Sequence, residues 1–175
     1  MQPDLENIKK KIVESKDFLD RIMSKLPGFA GYVEKAEMHD ADRMVRNFIA
    51  DKIQKFKNDL NSFSGQALKS GAQEALNAID GISIVLERFL KKSRFADYGT
   101  SASQPRAKVS ELDLNRLLEY DWRMIASLDE LEEAAAKIFS AGAGELLNLL
   151  NDYKSKIIEI EKKFEERKSV LLEVI

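Results

Sequence analysis

The chain has no cysteine, three prolines, eight glycines and one histidine among 175 residues. The lack of cysteine excludes a disulfide, a thiolate metal site and a thiol nucleophile, and is compatible with a reducing cytoplasm. One histidine is too few for a di-iron carboxylate bundle, which needs Glu-x-x-His on two helices, and Ala36 stands three places before His39. No uncharged apolar run approaches the roughly 20 residues of a membrane span; Gly81 to Leu86 stops at Glu87. The opening Met-Gln-Pro-Asp-Leu-Glu-Asn has no signal-peptide core, so the chain is read as unsecreted and non-spanning. Strand-like alternation is absent, so no glycine-rich phosphate loop follows a strand. Charge of one sign is lacking too: 28 Lys and Arg oppose 30 Asp and Glu, a formal charge of −2. That balance predicts solubility rather than a grip on a polyanion.

What remains is material for helices. Apolar residues make up 44% of the chain, enough for one continuous core, and the breakers Gly and Pro are few. Leu5, Ile8, Ile12, Leu19, Ile22 and Leu26 follow helical spacing up to a Pro27-Gly28 break, after which Phe29 and Tyr32 are expected to close the bundle end. A second helix is expected from about Gly31 to about Phe63, with Val45, Ile49, Ile53, Phe56, Leu60 and Phe63 inward and a turn at Ser62-Phe63-Ser64-Gly65. A third runs through Leu68, Ala72, Ala75, Ile79, Ile82, Leu86 and Phe89, where Gly71, Ala72, Ala75 and Ala78 suit a close helix contact. Small polar residues mark a long loop over 97–109, and Ser110 with Asp113 resembles a capping box. The fourth stripe is Leu114, Leu117, Met124, Leu128, Leu131, Ala135 and Ile138, interrupted by Asp121. Gly142 and Gly144 precede a final heptad of Leu146, Leu150, Tyr153, Ile157, Ile160, Phe164, Leu171 and Val174, whose one charged member is Arg167. Glu159, Glu161 and their charged neighbours are assigned to the solvated face. The expected fold is all-α: an elongated up-and-down bundle of about five helices, four of them long, forming a single domain over 1–175.

Candidate chemistry gathers where the stripes carry polar groups. Tyr32, His39, Arg43 and Arg46 recur at steps of seven, four and three, placing a phenol, an imidazole and two guanidinium groups on one helix face. Such a face suits a phosphate or carboxylate. The competing and favoured reading is a surface network in which Asp42 and Arg46 satisfy each other at i and i+4. Asp121, on an apolar stripe, needs a partner; it would pair with Arg43 or Arg46 and orient them toward a ligand, and a plain buried salt bridge is the favoured alternative. Arg88, Lys91, Lys92 and Arg94, followed by Phe95, Tyr98, Arg106 and Lys108, combine basic and aromatic residues as single-strand nucleic-acid grooves do. They equally suit a helix C-terminus, the preferred reading. Glu37, His39, Asp40 and Asp42 have spacing that argues against a metal.

Leu26-Pro27-Gly28-Phe29-Ala30-Gly31-Tyr32, Asp40-Ala41-Asp42-Arg43-Met44-Val45-Arg46, Arg94-Phe95-Ala96-Asp97-Tyr98-Gly99 and Glu119-Tyr120-Asp121 resemble the landmarks of an uncharacterised microbial helical-bundle family. The resemblance carries over no activity and groups Tyr32, Asp42, Arg43, Arg46, Asp97, Tyr98 and Asp121 for testing. Two functional readings follow. The first is a non-enzymatic cytoplasmic interaction or scaffold protein that forms a homodimer through apolar seams and the C-terminal helix. The second is a small-anion binding protein or enzyme using Tyr32, His39, Asp42, Arg43, Arg46, Tyr98 and Asp121. Neither reading includes a metal, a cofactor, a nucleic acid or a transmembrane segment, and membrane-surface contact through the basic end of the third helix is a weaker idea.

Overall fold

The structure is a computed structural model that describes residues 17–34, 38–69, 72–95 and 111–172. Among these residues there are helices and short turns and no strand. The elements are α1 (17–25), α2 (Phe29–Glu34), α3 (Met38–Lys69), α4 (Gln73–Phe95), α5 (Glu111–Ser140) and α6 (Ala143–Leu172). The fold is an all-α helical bundle. No described helix is long and apolar enough to cross a membrane. Several sequence readings lie outside the described residues: Leu5, Ile8, Ile12, Gly71, the 97–109 loop with Tyr98, the Ser110 cap, Val174, and the side chains of His39, Leu68, Asp113 and Leu171.

Two compact units divide the chain: Met1–Val45 with Asp97–Ile125 and Glu165–Ile175, and Arg46–Ala96 with Ala126–Phe164. In the first unit, α1 ends in a turn in which Phe29 N–H donates to Leu26 C=O at 3.2 Å. Pro27 fixes the first corner, and Gly28 takes φ +88° at the second, the backbone that a type II turn reserves for glycine. This turn carries Phe29 into the core, 1% exposed, beside a set that includes Ile22, Leu26, Val45, Leu117, Met124, Ile125 and Val170. Tyr32, expected to help close the bundle end, is 36% exposed. Arg21 lies over the Trp122 ring at 5.7 Å, a cation–π contact between α1 and α5.

The second unit shows which helices are neighbours. Lys52 on α3 reaches Asp129 and Glu132 on α5, and farther along both helices Phe63 meets Phe139 with ring centroids 5.4 Å apart. Sequence numbers rise together, so α3 and α5 run parallel. The same holds for α4 and α6, where Lys154 lies over Gly81, Arg88 and Lys92 bind Glu161, and Phe89 meets Phe164 at 5.6 Å. Lys57 joins α3 to Glu87 of α4. The apolar stripes of all four helices are inward as their spacing predicts: Ile49, Ile53, Ile79, Ile82, Leu86, Leu128, Leu131, Leu150 and Ile157 are each no more than 1% exposed.

Helix boundaries depart from the sequence reading in two places. The expected helix from Gly31 crosses 35–37, which lie outside the described residues; on either side of them the chain is helical, as α2 and α3. The expected turn at Ser62-Phe63-Ser64-Gly65 is helical, and α3 continues to Lys69, taking Leu68 with it. There Ser62 Oγ donates to Asn58 C=O at 3.0 Å and Ser64 Oγ to Asn61 C=O at 2.7 Å, so the hydroxyls bond back along the helix instead of ending it. Gly144, read as part of the last break, lies inside α6.

Candidate functional site

Among the described residues, each unit carries a charged cluster that joins its helices. In the first unit Arg167 of α6 reaches both Asp121 of α5 and Asp42 of α3. Its Nε donates to Asp121 Oδ1 at 2.5 Å and its Nη2 to Asp121 Oδ2 at 3.1 Å. Nη1 donates to Asp42 Oδ1. Exposure is 0% for Arg167, 1% for Asp121 and 4% for Asp42, so the cluster is dry. The planar guanidinium serves two carboxylates at once, which a lysine ammonium would do without the two-pronged geometry. Burial pushes the Asp121 carboxyl above its ordinary value against the pull of Arg167, and the Asp42 charge adds to the rise. Burial alone would lower Arg167, but the two carboxylates outweigh it and hold the guanidinium charged.

The second unit reverses the stoichiometry. Glu161 of α6, 3% exposed, accepts from Arg88 Nε at 2.8 Å, from Arg88 Nη2, and lies 2.8 Å from Lys92 Nζ. Burial pushes this carboxyl up, but Arg88 and Lys92 together leave it below its ordinary value. Glu161, expected on the solvated face, is covered by α4, whereas its neighbours Glu159 and Lys162 are exposed as expected. A more open group lies on α3 and α5, where hydrogen bonds from Lys52 and Lys55 hold Glu132 down to about 2. Tyr153, buried in the same unit, is pushed up by burial and by the charges of Asp59 and Glu132.

No family model, curated protein or solved structure matches this chain. Asp42 and Asp121 converge, but on Arg167, so Asp121 is paired neither with Arg43 nor with Arg46. The favoured alternative for Asp121, a plain buried salt bridge, is what stands there. Arg43 is exposed and bound to Asp40 one turn back. Arg46 is half-buried and falls in the second unit. Tyr32 is on α2, outside the cluster; the His39 side chain and Tyr98 lie outside the described residues. In the basic run at the end of α4, Arg88 and Lys92 hold Glu161 and Lys91 lies 3.6 Å from Glu87. Arg167 was visible as the charged member of a heptad, and Asp121 as the break in another stripe. Joining two such off-pattern residues of opposite sign was the available signal for the pair.

The first cluster meets the requirements of structure more readily than those of chemistry. No buried side-chain nitrogen or oxygen among the described residues lacks a hydrogen-bond partner. A group that binds or activates a substrate needs a free lone pair or proton facing an open space, whereas Arg167 spends its donors on Asp42 and Asp121 within a packed core. What it supplies is registration: sliding α3, α5 or α6 by one residue would carry an ionised group away from its partner into apolar surroundings.

Proposed function

We propose that this chain is a non-enzymatic cytoplasmic helical interaction protein that self-associates through the outer face of α4 and α6. The observation that carries the reading is a pair of aliphatic side chains on the wrong side of otherwise well-sorted helices. Ile84 of α4 is 69% exposed and Ile158 of α6 is 44% exposed, while Ile82, Val85 and Leu86 on α4 and Ile157 and Ile160 on α6 are buried. Between the contacts of Gly81 with Lys154 and of Arg88 with Glu161, the parallel helices bring positions 84 and 158 to the same level of their shared seam. Phe95, 78% exposed, extends the apolar content toward the end of α4. A single exposed aliphatic residue is ordinary, but paired ones on adjacent helices form a patch that association would cover. Of the C-terminal apolar segment, Val170 is 6% exposed, and the side chains of 171–175 lie outside the described residues.

Size-exclusion chromatography with multi-angle light scattering over a range of concentrations tests this. A dimer is expected for the natural chain, and a monomer of unchanged helical circular dichroism for Ile84→Glu combined with Ile158→Glu. A natural chain that stays monomeric at the highest concentration removes the proposal.

A further inference from the structure

We draw no further inference here: the strongest candidate, the basic and aromatic surface patch at the end of α4 where Arg94 and Phe95 are exposed, carries none, because Arg88 and Lys92 are held by Glu161, Lys91 lies beside Glu87, and nothing in the structure shows what covers the rest.

Discussion

The two charged clusters are opposites in composition and in wetness, and the difference explains what each tolerates. In the first unit one guanidinium serves two carboxylates and all three groups are 4% exposed or less. In the second, one buried carboxylate serves two cations whose side chains remain 51% and 37% exposed. A long basic side chain can bury its stem and keep its charged head near water, so Arg88 and Lys92 retain hydration while holding Glu161. Asp42 and Asp121 have no such stem. Their charges are fully desolvated, and Arg167 is the cation that both contact.

The largest effect therefore comes from breaking the dry cluster. Arg167→Met keeps the apolar volume of the stem and removes the charge that Asp42 and Asp121 both contact, leaving Asp121 as an uncompensated buried acid, at an expected cost of about 3–5 kcal/mol. Urea unfolding followed by Trp122 fluorescence reads this directly, since the one tryptophan of the chain adjoins Asp121 in the first unit. Replacing all three members together, Asp42→Leu, Asp121→Leu and Arg167→Met, is expected to return stability to within about 1 kcal/mol of the natural chain or above it, because the desolvation cost leaves with the charges. A triple variant as unstable as Arg167→Met would mean that packing, not uncompensated charge, sets the loss.

The same contrast shows what was legible beforehand. Helical class and the inward stripes were readable because burial follows a 3.6-residue period that a single helix reveals by itself. Asp121 and Arg167 were each readable as departures from that period. Their partnership was not, since it depends on which helices are neighbours and in what register, and periodicity within one helix holds no information about another. Glu161 was missed for the related reason that its burial comes from α4, which lies over that face of α6. The end of α3 was misplaced because Ser and Gly favour turns locally; there the serine hydroxyls bond to their own helix, and Phe63 packs on Phe139, which favours continuation over the local preference.

A smaller effect is expected when the wetter cluster is broken. Glu161→Gln leaves no stranded charge, because Arg88 and Lys92 can turn toward solvent and the amide keeps an acceptor for one of them. A loss of about 1 kcal/mol is expected, read as a shift in the urea midpoint of the helical circular dichroism. A loss equal to that of Arg167→Met would erase the distinction between the two clusters.

The smallest effect, and the one that separates the units by sign, is the response to acid. Asp121 lies above its ordinary 3.8, so the native state holds the extra proton; the stability this brings is complete below 3.8 and is lost as pH rises through the folded value. Glu132 lies below its ordinary 4.5, at about 2, so the unfolded state holds the extra proton; its contribution is present above 4.5 and is lost as pH falls toward 2. Because the Glu132 side chain is 40% exposed, solvent screening limits that contribution to less than about 1 kcal/mol. Urea midpoints measured from pH 2 to pH 6 should show Glu132→Gln with a shallower loss on acidification than the natural chain. Asp121→Asn, less stable overall for want of one acceptor to Arg167, should lose the decline that accompanies rising pH above 3.8. If both variants change the profile in the same direction, the opposite charge balance of the two regions is not what governs their response to protons.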